Sequence, residues 1–400
     1  MRLAFQLESG RSLPVLSRFE GPITLRTTGL KPGPASERDL AILLRRLRQE
    51  AGIAITRVPS AQRANITVEY LPRRALHRAV PNAACFVTPG VESWREYLSR
   101  SALAERDWTA LTRRSLITVF IPADIAPQEI RDCLHEEIAQ GLGPVNDLYE
   151  LRDSIFNDDN FRTVLTGFDM LVLRAFYDPS LASGMTPETV AARLPEILAR
   201  LNPAGQALPD PPALPPTPRI WIREIETALG NPRPGPQQVA AARRAVRIAR
   251  EMGWNDNRLG FSLYAFGRLV LNRDSGLALA SFSQAEAVFL ADPETRIHAA
   301  HVAVQGAAHA LSSGNPREAI RIADANSPVA LRAENASLLS TLLMLKAQSL
   351  DAMGRSGEAE IVRLDALGWA RYGMGSVSEI RQRLAEIAAL SPPRKRRSLQ

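Results

Sequence analysis

From Asn202 to Arg219 the chain reads NPAGQALPDPPALPPTPR. Its prolines lack a backbone N–H and restrict the residue before each of them, so neither a helix nor a central strand can run through. A proline-rich stretch without hydrophobic period reads as a semi-rigid extended linker. The 400 residues therefore divide into an N-terminal domain over 1–201, the linker over 202–219, a C-terminal domain over 220–391 and a basic tail over 392–400. Such a length asks for more than one ordinary core.

The two halves are patterned differently. Before the linker, PITLRTTG at 22–29 alternates as a half-buried strand. Ser36, with Asp39 three residues on, is expected to cap a helix whose apolar face is Leu40, Leu43, Leu44 and Leu47 and which Gly52 ends. IAITRV at 53–58, ANITVEYL at 64–71 and AACFVTPG at 83–90 read as strands, and a polar, partly helical segment with Trp94 and Trp108 follows. SLITVFIPADI at 115–125 is the most strand-like run of the chain, and Ala126-Pro127 opens a helix after it. Strands interleaved with helices predict an α+β domain, a mixed sheet carrying long helices.

After the linker the pattern is helical and repetitive. SGLALASF, GNPREAIRI and GRSGEAEIV place Ala278, Ala319 and Ala359 about forty residues apart, each opening a helix after a polar turn. Apolar helices at 258–271, 296–312 and 336–352 precede them, with small residues Gly267, Ala308 and Ala347 at packing positions; helices at 237–253 and around Trp221 form an earlier pair, and 376–390 is the cap. Two antiparallel helices at this period resemble degenerate tetratricopeptide-like repeats, an all-α solenoid that implies a protein or peptide partner. His298, His301 and His309 have spacings explained by packing and surface.

A net charge of +7 does not by itself indicate nucleic acid, because the arginines are spread along helices that also carry glutamate. The one dense basic run, Arg394 to Arg397, reads as a solvated end. No stretch approaches the roughly 18 to 20 consecutive apolar residues of a membrane helix. The first residues carry no signal-peptide core, which taken literally places the chain in the cytoplasm. Cys85 and Cys133 are either two buried thiols or a pair brought together by the fold.

The helix from Pro127 has two unlike faces. Ile130, Leu134, Ile138 and Leu142 recur every four residues as a core stripe, and Glu136, Gln140 and Gly143 lie on the other side. That polar face is either solvent-exposed or the floor of a cleft. His135, with Ala139 rather than histidine one turn later, reads as a partly exposed, salt-bridged side chain. Asp147, Asp153, Asp158 and Asp159 add local acidity suited to a cationic ligand or partner, or to capping and turns; Asp158-Asp159-Asn160 fits a turn.

The segment from Glu136 to Asp147 resembles the metzincin motif HExxHxxGxxH in its matrixin-like form, with an acid after the third histidine. The resemblance puts Glu136, Gln140 and Asn146 at the three metal-ligand positions, Glu137 at the general-base position and Gly143 at the turn. Ser154 to Asp158 is similar to the turn beneath the metal, with Phe156 in place of methionine and Asn157 beside it. LTGFDMLVLRAFYDP at 165–179 is similar to the final helix, with Thr166 and Asp169 forming its cap. More closely, CLHEEIAQGLG, SIFND and YDPSLASGM resemble domain-of-unknown-function family 2927, several of whose members are described as candidate lipoproteins. That implies an exported, periplasmic or envelope protein and, with it, a disulfide between Cys85 and Cys133.

The exchanged residues change the chemistry. Zinc is served by imidazole and thiolate, whereas two amide oxygens are weak ligands and Glu136 is the only anion among the three. Calcium takes oxygen but wants six to eight of them. No metal or cofactor is expected, and Glu136, Gln140, Asn146 and Asn157 are expected to form a polar network where the metal would sit. The function expected is a non-catalytic cell-envelope binding or scaffold protein. The alternatives are a peptidase-like hydrolase using Glu137 as general base and a cytoplasmic helical-repeat regulator. The regulator lacks a phosphate loop and a clear DNA-reading helix.

Overall fold

The structure, a computed structural model, describes residues 1–99, 106–209, 214–230 and 233–391. It falls into two compact units, Met1–Pro215 and Pro216–Gln400. The basic tail over 392–400 lies outside the described residues, as does 210–213 of the linker.

The first unit contains α1 (Arg2–Phe5), β1 (Ile23–Gly29), α2 (Pro34–Glu50), β2 (Ile55–Arg57), β3 (Ile66–Leu71), α3 (Arg73–Ala79), β4 (Phe86–Pro89), α4 (Trp94–Tyr97), β5 (Ile117–Pro122), α5 (Pro127–Leu142), α6 (Gly167–Phe176) and α7 (Pro187–Leu201). The five strands form one sheet in the order β2-β1-β3-β5-β4, parallel except that β4 runs antiparallel to β5. Leu25 pairs with Ile66 and Ile66 with Ile117, so aliphatic side chains line up across the strands. Leu40, Leu43, Leu44 and Leu47 of α2 and Leu134, Ile138 and Leu142 of α5 bury in that layer. Phe120 packs in a second cluster with Leu71, Leu76, Phe86, Trp94 and Tyr97. Every residue of β5 is buried, as a strand covered on both faces requires.

Two details correct the sequence reading. Helix α2 begins at Pro34 after the N-cap Gly33, so Ser36 is an interior, fully buried residue rather than the cap. Proline at the first helical turn loses no hydrogen bond and starts the helix two residues early. Helices α1 and α3 are too short to show a period, and α3 fills the interval read as plain connection between two strands. The Trp94–Trp108 segment, expected to be partly helical, has α4 and a 3-10 turn at Trp108–Ala110 among its described residues, 100–105 lying outside them. Thr166 and Asp169 form the expected reciprocal cap of α6, and α7 buries Val190 and Ile197 against Phe176 and Leu181.

In the second unit, nine helices occur among the described residues. They are α8 (Arg219–Leu229), α9 (Pro236–Glu251), α10 (Asn257–Val270), α11 (Ser275–Leu290), α12 (Arg296–Ser312), α13 (Pro316–Arg332), α14 (Ala336–Ala352), α15 (Ser356–Gly373) and α16 (Val377–Ala388). Each of the first eight packs on the next in sequence. Ala278, Ala319 and Ala359 are fully buried at matching places in α11, α13 and α15. A Cβ on Gly267 would lie 2.6 Å from the Phe282 ring, so glycine there lets α10 and α11 close. His298 is fully buried against the Phe289 ring, while His301 hydrogen-bonds Asn335 and His309 hydrogen-bonds Ser313. Among the described residues no helix is long and apolar enough to cross a membrane.

Candidate functional site

Helix α5 carries the site on the face opposite its core stripe. The last four carbonyls of a helix lack the N–H groups of a following turn. Here the Gly143 N–H reaches those of Ala139 and Gln140, and two side chains from elsewhere serve the rest of the helix end. The buried guanidinium of Arg114 donates from Nη1 to the carbonyls of Gln140 at 2.6 Å and Gly141 at 2.7 Å, and from Nη2 to Gly143 at 2.7 Å. Tyr177 donates its hydroxyl to Leu142 at 2.8 Å. A cation is also what a helix C-terminus favours. Burial nevertheless pulls the Arg114 pKa down to about 10.

The chain leaves α5 at Gly143 in an extended conformation, and a Cβ there would stand 2.6 Å from the Phe176 ring. The glycine is therefore required by the approach of α6. Val145 then donates its N–H to Leu3 at 3.0 Å, tying this loop to α1. Further on, Phe156 is fully buried, and Asp169 holds its turn by accepting from Ser154 Oγ at 2.6 Å and the Ile155 N–H at 3.1 Å.

Above this frame lies a cavity of about 510 Å³ lined by Glu136, Glu137, Gln140, Asp147, Asp158 and Glu8, with Phe86, Val87, Trp108 and Cys85 among its walls. No lysine, arginine or histidine is among the described lining residues. Gln140 Nε2 donates to Asp147 Oδ2 at 3.0 Å, and Tyr149 donates to Asp158 at 2.7 Å. The backbone N–H of Val87 donates to Glu137, and Glu8 hydrogen-bonds Asp147. Burial first, and then the neighbouring carboxylates, push Glu136, Glu137 and Asp147 well above the usual carboxylate range. Acids this close in low dielectric hold protons that isolated carboxylates would release.

The expected four-residue network is not what the side chains build. Asn146 turns away to the Arg2 carbonyl at 3.4 Å, and Asn157 donates to the Leu151 carbonyl and to Asp159. Of the three positions matched to ligands, Glu136 and Gln140 line the cavity and Asn146 does not; Asp147, one residue on, takes its place. His135 is likewise corrected: it is buried, and its Nδ1 accepts the Leu165 N–H at 3.1 Å, which together with desolvation holds the ring neutral. Among the described residues no three His, Cys, Asp or Glu side chains are arranged to hold a metal ion.

Cys85 and Cys133 form a disulfide with Cα atoms 6.0 Å apart, joining the approach to β4 to α5 one turn before Glu136 and Glu137. A second cavity, of about 400 Å³, lies beside the first and shares Asn82, Ala83, Cys85 and Glu136 with it. It contains Asp132, whose carboxyl burial raises to about 7. Sequence reasoning missed Glu8, Phe86, Trp108 and Arg114 as parts of the site. Arg114 lies 26 residues before Gln140, and Phe86, Trp108 and Glu8 lie further still from the helix residues they face, so no local pattern marks them.

Residues 1–196 match the family described as Protein of unknown function (DUF2927). No curated protein is significantly similar to the chain.

Proposed function

We propose that this is a non-catalytic binding and scaffold protein of the cell envelope. Its N-terminal domain is of metzincin-like ancestry and has replaced a metal centre with a proton-sharing carboxyl cleft. Its C-terminal half is a tetratricopeptide-like solenoid for a protein or peptide partner. One observation carries the reading: the third ligand position, Asn146, is turned onto the Arg2 carbonyl, while Asp147 joins Glu136, Glu137 and Gln140 in the cleft. A scaffold of helix, glycine turn and apolar floor without a ligand triad is suited to binding. The Cys85–Cys133 disulfide supports an oxidising compartment. Sequential helix packing with buried alanines near a forty-residue period supports the solenoid.

A second reading, a peptidase-like hydrolase, is favoured by Glu137, which is 5% exposed and has its pKa raised by burial, as a carboxyl general acid or base requires. Metal analysis of the purified protein, paired with digestion of a mixed peptide library, separates the two. The binding reading expects substoichiometric metal and an intact library. Cleavage abolished by Glu137→Ala would overturn it. A reporter fusion carrying the genomic sequence upstream of this chain tests the compartment, and cytoplasmic retention removes the envelope assignment.

A further inference from the structure

We propose that the carboxyl cleft of α5 takes an organic ammonium or guanidinium cation borne on an apolar stem, with Glu137 and Asp147 as its counter-charges. The chemistry is that of a lysine or arginine side chain, or of a small free amine. This rests on the non-catalytic binding reading above and names its ligand class.

The first support is an incomplete hydrogen-bond account. Asp147 Oδ2 accepts from Gln140 at 3.0 Å, but Oδ1 is shut off from solvent and no N–H or hydroxyl donates to it. A buried carboxyl oxygen without such a donor is costly and is ordinarily completed by a ligand or a partner group. Among the described lining residues the one nitrogen bonded to Asp147 is the Gln140 amide, and none of those residues is a lysine, arginine or histidine.

The second support is shape. At about 510 Å³ the cavity has room for a chain of heavy atoms rather than a single ion. Its walls pair the carboxyls with Leu7, Val87 and Val145, which suit a methylene stem. Phe86 and Trp108 add ring surface that attracts cations. Trp108 already carries the Arg114 guanidinium 5.0 Å from its ring centroid.

Because burial raises the pKa of Glu137 and Asp147, a cation bound between them displaces protons. The groups concerned are Glu136 and Glu137 on α5, Asp147 and Asp158 from the loops that follow it, Glu8 from the N-terminal segment, and Asp132 behind Glu136. Binding therefore strengthens as pH rises and releases protons to the buffer.

Calorimetric titration of the full chain tests this with four probes: acetyl-Ala-Lys-Ala-amide, its norleucine isostere, 1,4-diaminobutane and calcium chloride. Expected is binding of the lysine peptide or the diamine, at least tenfold tighter at pH 8 than at pH 5.5. The norleucine peptide is expected to bind at least tenfold more weakly than the lysine peptide. Asp147→Asn and Glu137→Gln should each weaken binding at least tenfold, with circular dichroism and Tm confirming the fold. Binding of the peptide alone assigns a chain-borne cation, and of the diamine alone a free amine. Equal binding of the norleucine peptide, stoichiometric calcium in preference to both amines, no binding by either amine, or folded variants that bind unchanged overturns the proposal and leaves the non-catalytic reading standing. That reading falls instead if mass spectrometry recovers a probe that has been hydrolysed.

Discussion

Residues 1–215 and 216–391 both bury polar groups, but over different distances along the chain. In the second unit the buried Arg258 pairs with Asp256, two residues away, and with Thr217, 41 residues away, and the indole of Trp221 reaches Ser262, also 41 residues on. In the first unit the span is longer: Asn146 crosses 144 residues to Arg2, and Arg18 crosses 158 to the Phe176 carbonyl. Sequential packing lets each helix of the second unit find partners on its neighbours in the chain. A cleft with chemistry in it must recruit groups from separate segments, and that is where stability is staked on single residues.

The largest effect that sharpens this contrast is covalent. Removing the disulfide with Cys85→Ala and Cys133→Ala frees a separation of 48 residues, and the chain-entropy relation puts the loss at about 4 kcal/mol. Urea unfolding should show it in the transition of the first unit, with the second unmoved. Arg114→Met comes next, since it strands the buried carbonyls of Gly141 and Gly143 at about 1 kcal/mol each, or about 2 kcal/mol, and leaves that of Gln140 to the Gly143 N–H alone. The same substitution should disturb the near-ultraviolet circular dichroism of Trp108, which the guanidinium overlies.

The converse test falls in the second unit. A Cβ on Gly373 would stand 2.7 Å from the Ala336 carbonyl carbon, in the backbone that opens α14. Gly373→Ala should therefore cost about 2 kcal/mol by overpacking and lower only the second transition in calorimetry. Equal loss from both transitions would break the picture of two separately stabilised units.

The smallest effect is pH dependence, whose sign differs between the two. Glu136, Glu137 and Asp147 have folded pKa values above their unfolded ones, so the folded state holds the extra protons. Their contribution is present below the unfolded carboxyl pKa and is lost as pH rises through the folded values. His135, whose pKa is depressed from 6.5, opposes this below 6.5 and adds nothing above it. The first unit should thus lose stability as pH climbs above 6.5, and Asp147→Asn should flatten that slope. In the second unit burial lowers His301 to about 3, so its contribution grows from pH 3 to 6.5 and then levels. Calorimetry across pH 5 to 9 reads both slopes, and a parallel response would contradict the assignment.

Much of this was legible in the chain. The α5 stripe of Ile130, Leu134, Ile138 and Leu142, the Thr166–Asp169 cap and the helix boundaries of the second unit all rest on short-range rules of period, capping and breaking, whereas the 3-10 turn at Pro203–Ala207, inside the stretch read as an extended linker, was not legible. The site was legible as a location, because Glu136, Glu137 and Gln140 share one helical face. Its membership was not. Asn146 and Asp147 are adjacent, and nothing local decides which of them faces the cleft; the bonds of Val145 and Asn146 to Leu3 and Arg2 do. His135 looked like a surface residue because its neighbours are acidic, yet the helix turns it onto the Leu165 amide.

By itself the sequence determined where the long, periodic helices and the main strands form and which helix bears the acids, since each follows from interactions within a few residues. Only the tertiary structure decided that Glu8, Trp108 and Asp147 close around Glu137, that Cys85 bonds Cys133 and that Arg114 caps α5. Those depend on which distant segments the packed core brings within hydrogen-bond reach. Burial, which shifts the carboxyls that matter here, is a property of that packing and of no single stretch of chain.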